Sequence, residues 1–277
     1  MGTVRDSEPR RVDDLGRAYA GSQLQLQIYV NRRMDDVSRR VLDALPSLAS
    51  LNPRLHWVSP LECQKFSEYQ DRAFLCALGL EDLDGELRKF WPRGGPVWDA
   101  LAAVDTESAL ASSGVVLVEA KSYPAEIYGS GCQASPRSRK KIEAALRKTK
   151  AWLGVPEDID WTGPLYQSAN RFAHLYFFRE EVGIPAWLVN VYFLDDPDSP
   201  TTREEWRVAL DQVKAELGLS NIVVPHAAEL FLEARERREL AGEPDAVRTY
   251  VTLVGLAAAA LTALTAGAWY ARRRWSR

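Results

Sequence analysis

Gly114-Val-Val-Leu-Val-Glu-Ala-Lys121 decides how this chain folds. Four apolar residues, Val115–Val118, run without interruption into Glu119-Ala120-Lys121. An apolar run with no alternation predicts a strand covered on both faces. Residues i and i+2 of a strand share a face, so Glu119 and Lys121 project together. Charges at the end of a buried strand are costly to desolvate, so this pair needs partners or a task. Asp99 lies 20 positions before Glu119, at the start of another apolar run. A hairpin would bring the two carboxylates and the lysine together.

Working outward, Leu24, Leu26, Ile28 and Val30 alternate with Gln25, Gln27 and Tyr29 and predict a half-buried strand. Helical spacing follows over Val37–Leu45, with Pro46 as its stop. Leu55 and Trp57 suggest a short strand. Ser59-Pro60-Leu61-Glu62 has the form of a capped helix start, and that helix is expected to reach about Leu78 and close at Gly79. Gly94-Gly95-Pro96 introduces the strand after Asp99, and the polar stretch 105–113 is the turn before Gly114. Beyond Lys121 the pattern predicts a Gly/Ser/Pro loop over 123–136, helices over about 138–153 and 165–181, and a central strand over 186–194. Thr202-Arg-Glu-Glu205 is a second capping box opening a helix to about Leu217. Ile222–Val224 is expected as a short strand and 226–241 as an amphipathic helix. Helices alternating with strands in this order imply an α/β fold around a mixed sheet. The expected domains are an arm over 1–22, an α/β domain over 23–241, a linker over 242–249 and an apolar segment over 250–271 with a basic tail over 272–277.

The composition narrows the function. With 46% hydrophobic and 26% charged residues the chain is an ordinary globular one. A net charge of −3 supplies no global pull toward nucleic acid, so any such binding needs a local patch. Cys63, Cys76 and Cys132 are widely spaced and suggest neither a disulfide framework nor a zinc site. The polar N-terminus shows no signal peptide. Phosphate-loop, HExxH and Gly-x-Ser-x-Gly patterns are absent, as are internal repeats.

Asp99, Glu119 and Lys121 suit phosphodiester hydrolysis. That reaction needs charge neutralisation at the phosphate, an activated water and a stabilised leaving oxygen, all within the reach of a divalent ion. Mg²⁺ or Mn²⁺ would take oxygen ligands from Asp99 and Glu119, and from the Ala120 carbonyl that lies between the site residues. Lys121 would stabilise charge on the reacting oxygens or orient the water.

These residues resemble the PD-(D/E)xK nuclease superfamily, the restriction-endonuclease-like fold. The resemblance rests on Asp99, on a strand ending in Glu119-Ala120-Lys121, and on a helix before and helices after. It covers roughly residues 55–225 and departs from the literal motif at Pro96-Val97-Trp98-Asp99, where the proline lies three residues early. It implies a mixed sheet flanked by helices and a metal-dependent nuclease acting on DNA or RNA. It also implies a further acid before the hairpin. Glu68 is the choice there, because Glu62 already has a capping task. Glu126 is a weaker metal candidate. A glutamine on the helix after the lysine strand would be Gln167. One such pattern has a tyrosine four residues later, where this chain has Arg171.

Two further features bear on partners. Gln167, Asn170, Arg171 and His174 form a polar stripe on an otherwise apolar helix, which predicts a cleft-lining face on which Arg171 could meet a phosphate. Arg137, Arg139, Lys140, Lys141, Arg147, Lys148 and Lys150 crowd one helix and form a candidate nucleic-acid patch, or a solvated face. Val251–Trp269 carries no charge and Arg272-Arg273-Arg274 follows. That length fits a transmembrane helix tethering a cytoplasmic domain to the membrane, and an Ala-rich helix packed on protein is the other reading. A non-catalytic binding or scaffold module at a membrane is the competing function.

Overall fold

The computed structural model describes residues 11–106 and 114–242. The span expected at 250–271 and the tail at 272–277 lie outside them. Among the described residues, no helix is long and apolar enough to cross a membrane.

A five-stranded mixed sheet organises the chain, in the order β1 (Pro53–Ser59), β2 (Ala100–Thr106), β3 (Gly114–Lys121), β4 (Ala186–Leu194), β5 (Ala227–Glu233). β1, β2 and β3 pair antiparallel, while β3, β4 and β5 run parallel. The unbroken apolar run of β3 has the predicted consequence: Gly114–Ala120 is buried throughout. Val116, Val118 and Ala120 face one hydrophobic core, and Val115 and Leu117 face the other. Helices α1 (Gly21–Arg32), α2 (Met34–Ala44) and α3 (Pro46–Ala49) cover the first face. The other face is covered by α4 (Asp71–Ala77), α5 (Asp84–Phe90), α6 (Pro136–Leu153), α7 (Tyr166–Tyr176) and α8 (Arg203–Glu216). Glu119 and Lys121 therefore emerge on the α4–α8 face.

Several local expectations are corrected. Residues 24–30 form helix α1, not a strand. Gln25 and Gln27, read as a solvent face, are buried and bonded to distant backbone. Gln25 exchanges two hydrogen bonds with Arg235, at 3.0 and 2.7 Å, and Gln27 accepts from Ala18 N–H at 2.8 Å. A helix buried on every side carries no 3.6-residue signal. The expected arm is tied down from Arg11 onward, where Val12 bridges Ala18. Pro46 stops α2 but also opens α3.

No helix runs from Ser59 to Leu78. Ser59 ends β1, and the Glu62 N–H donates to Asn31 Oδ1 at 2.8 Å instead of joining a capping box. Lys65 and Phe66 then take positive φ, 53° and 55°, which ends the short 3-10 turn Glu62–Gln64. Ile222–Val224 is irregular, and the segment expected as a helix from 226 holds β5. Pairing along β4 overrides its helical pattern, with Leu230 and Leu232 entering the α1–α3 core. The capping box at Thr202 forms as read, with Glu205 N–H donating to Thr202 Oγ1 and Thr202 N–H to Glu205 Oε2.

Candidate active site

The β2–β3 hairpin places Asp99 at the end of β3. The ladder stops at Ala100↔Val118, and one step beyond it the Ala120 N–H donates to Asp99 Oδ2 at 2.7 Å. A strand residue's N–H and C=O project to the same side, so the Ala120 carbonyl also faces Asp99, past the last ladder pair. Glu119 is held between two cations. Lys121 Nζ lies 2.7 Å from its Oε1, and Arg171 Nε donates to Oε2 at 2.6 Å. Arg171 also donates to Asn170 Oδ1 at 2.8 Å and to the Val97 carbonyl at 2.9 Å. Its guanidinium lies 4.9 Å from the Trp98 ring centroid, a cation–π contact.

Glu68 joins them by a route the sequence did not suggest. It sits in an extended stretch, not on a helix. Trp98 N–H donates to the Tyr69 carbonyl at 3.0 Å in an antiparallel bridge, so the next pair outward is Glu68 opposite Asp99. Three carboxyl groups thus gather against the charges of Lys121 and Arg171.

The electrostatics follow. Burial, and then the charges of Glu119 and Glu68, push the Asp99 carboxyl well above its usual range, against the pull of Lys121 and Arg171. Burial would raise Glu119 too, but Arg171 and Lys121 outweigh it and hold Glu119 below the usual range. Burial opposes the charge on Lys121, yet Glu119 and Asp99 prevail and raise it. Burial raises Glu68, with a hydrogen bond from Gln23 pulling the other way.

α7 supplies a wall. Gln167, Asn170 and Arg171 line a cleft of about 580 Å³, closed opposite by the loops 92–97 and 129–135. Gln167 Oε1 accepts from Lys121 Nζ at 3.4 Å, a long contact. His174 does not reach the cleft. It is buried behind it, donating Nδ1–H to the Asn170 carbonyl at 2.8 Å and packed edge-on against Trp91 and Trp98. Burial depresses its pKa to about 3, so it serves as a neutral support.

Asp71 carries no signal in the sequence, because its partners are backbone amides far along the chain. Its carboxylate accepts from the Gly94 N–H at 2.9 Å, the Gly95 N–H at 3.1 Å and Arg88 at 3.0 Å. It thereby fixes the loop that delivers the Val97 carbonyl, Trp98 and Asp99. A Cβ on Gly95 would come within 3.3 Å of Asp71 Oδ1 and 3.4 Å of His174 Nε2, so glycine suits this close approach. Glu126 caps the turn after β3, accepting from the Ser122 N–H at 2.6 Å.

The basic helix α6 is more structural than its charge count suggests. Arg139 bonds Glu143 and Thr162, Lys141 the Arg88 carbonyl, and Lys150 is buried on backbone carbonyls. Arg147 pairs with Glu157 and Lys148 with Glu181. Arg137 and Lys140 are exposed and form no such bond among the described residues.

Among the described residues, no three His, Cys, Asp or Glu side chains group as a metal cage. Mg²⁺ does not require one, since one or two carboxylates with retained waters suffice. Asp99, Glu119 and the Ala120 carbonyl are hard oxygen donors of that kind. A divalent ion would favour the ionised form of Asp99, which burial and its acidic neighbours otherwise disfavour. No protein-family model matches the chain, and neither a curated protein nor a solved structure matches it.

Proposed function

We propose that this protein is a Mg²⁺- or Mn²⁺-dependent phosphodiester hydrolase of the restriction-endonuclease-like kind, acting on nucleic acid. One observation carries the reading: Asp99 bonds the backbone between Glu119 and Lys121 at the open end of β3, with Glu68 opposite. The order of the hairpin, the parallel β4 and the flanking helices supports the resemblance to the PD-(D/E)xK superfamily.

In this reading Asp99, Glu119 and the Ala120 carbonyl hold the ion. The bound ion would supply charge neutralisation at the phosphate and lower the pKa of a coordinated water. Lys121, kept protonated by its acidic neighbours, donates to the oxygens on which negative charge develops. Gln167 limits where the Lys121 ammonium can point. Arg171 holds Glu119 in place and adds positive charge to the wall of the cleft, where a phosphate would lie. Arg137 and Lys140 extend the basic surface for the polynucleotide backbone. The 250–271 segment would tether this activity to a membrane.

The test is a divalent-metal cleavage screen on single- and double-stranded DNA and RNA. Asp99→Ala and Lys121→Ala, each confirmed folded by circular dichroism, should lose metal-dependent cleavage. Retained cleavage in both purified variants sinks the assignment. The clamp on Glu119 favours a second reading, a non-catalytic binding module, because an ion at Glu119 must compete with Lys121 and Arg171. Calorimetry finding no Mg²⁺ or Mn²⁺ binding to the wild type would select it.

A further inference from the structure

Helix α7 has two working flanks. Gln167, Asn170 and Arg171 face the cleft already described, whereas Ser168 and Phe172 face a separate cavity of about 530 Å³. This cavity lies between α7, α8 and the β4–β5 end of the sheet. Its walls are mostly apolar and aromatic, with Phe172, Tyr192, Leu210, Val213 and Ile222 among them, and Ser168, Ser220 and Asn221 at their polar part. Its floor carries the amide of Asn190, the sole polar side chain apart from the Tyr192 phenol on this face of Ala186–Leu194. That amide forms no hydrogen bond among the described residues. A donor–acceptor group left open on the floor of an apolar cavity is the usual composition of a small-ligand pocket, and the volume lies within the range of about 300–1,000 Å³ for such pockets.

Register ties this cavity to the candidate active site. Asn190 pairs with Glu119, and Tyr192 with Lys121, in the parallel β3–β4 ladder. Paired residues share a sheet face and neighbouring strands lie about 5 Å apart. The cavity floor is therefore the next row over from the carboxylates and the lysine. At the cavity wall Lys214 and Glu229 pair at 2.8 Å, which balances the charge there. Val223, 91% exposed, adds an apolar side chain at the lip.

We propose that this cavity receives a nucleobase, that of a nucleotide flanking the phosphodiester bound at Asp99, Glu119 and Lys121. The proposal rests on the phosphodiester reading above. A base has two apolar faces, which suit Phe172 and Tyr192, and a polar edge, which needs donor and acceptor together. The Asn190 amide offers both. A base stacked in a duplex cannot enter such a cavity, so the substrate is single-stranded at this point or releases the base from its stack.

Calorimetry on the full chain tests this, using the four nucleoside 5′-monophosphates and deoxyribose 5-phosphate, which carries the phosphate without a base. At least one nucleotide should bind about tenfold more tightly than the sugar phosphate, the scale of one base–aromatic stack. Val213→Trp, which fills the cavity, and Asn190→Ala, which leaves no orphaned partner, should each shrink that preference while sugar-phosphate binding persists. Lys121→Ala should keep it. Equal binding of nucleotide and sugar phosphate by the wild type, binding of neither, or an unchanged preference in both cavity variants overturns the proposal. Oligonucleotide cleavage measured in parallel separates the two failures. Cleavage without base preference rejects the cavity's role alone, and base preference without metal-dependent cleavage rejects the hydrolase reading alone.

Discussion

Replacing Arg171 by methionine tests the electrostatic centre of the site. Methionine keeps much of the apolar stem and removes the charge. The Arg171 and Glu119 side chains are 8% and 9% exposed, so the pair is screened little by solvent. Removing one partner of a buried pair costs about 3–5 kcal/mol, because the other charge is left uncompensated. Here Lys121 stays 2.7 Å from Glu119, which lowers the penalty. The Val97 carbonyl and Asn170 Oδ1 lose a donor, adding about 1 kcal/mol each where water cannot replace it. A net loss of about 3 kcal/mol is expected, or about 1 M in urea midpoint for a slope near 3 kcal/mol/M. Combining Arg171→Met with Glu119→Gln should recover about 2 kcal/mol of the summed losses, since the two side chains touch. Removing a cation from beside Asp99, Glu119 and Glu68 should also favour a divalent ion. An ion at ten times its Kd adds about 1.4 kcal/mol. Mg²⁺ should therefore raise the midpoint of the single variant more than that of the wild type at equal concentration. A metal-free loss below about 1 kcal/mol, with no coupling in the double variant, would show that the cluster is solvated and refute the reasoning.

Two other perturbations follow from the support around the site. His174 is neutral in the fold, with burial holding its pKa at about 3, while in the unfolded chain it takes a proton near pH 6.5. Its contribution is thus full above pH 6.5 and is lost as pH falls toward 3. At pH 4.5 the loss is about 3 kcal/mol relative to pH 7. Glu119 and Asp71, whose pKa values are lowered, lose stability in the same direction on acidification. The difference between wild type and His174→Gln across urea melts from pH 7 to 4.5 isolates the histidine, and equal pH slopes would refute its buried neutral state. Asp71→Ala should free the Gly94 and Gly95 amides, costing about 2 kcal/mol. Their hydrogen exchange should accelerate ahead of global unfolding, and cleavage should fall with it because Asp99 hangs from the same loop. Unchanged exchange at both glycines would mean that the loop holds its shape without Asp71.

The sequence by itself determined the centre of this protein. An unbroken apolar run is enough to bury β3 on both faces, and period-two geometry puts Glu119 and Lys121 on the same side. The Thr202–Glu205 capping box was legible for the same reason, because its bonds close within four residues. Tertiary structure decided whatever depends on a distant partner. Gln25 and Gln27 look like a strand's wet face until Arg235 and Ala18 satisfy them inside the fold. Residues 227–233 carry a helical pattern that pairing with β4 overrides. Glu68 reaches Asp99 through a bridge across 29 positions, from Tyr69 to Trp98, rather than along a helix. Asp71 matters through backbone amides that carry no sequence signal. Asn190 interrupts an apolar strand, but only the register beside Glu119 gives it a neighbour. Local periodicity and capping are encoded within a few residues. Which charges meet, and which polar groups are paid for by burial elsewhere, is set by contacts that exist only once the sheet has formed.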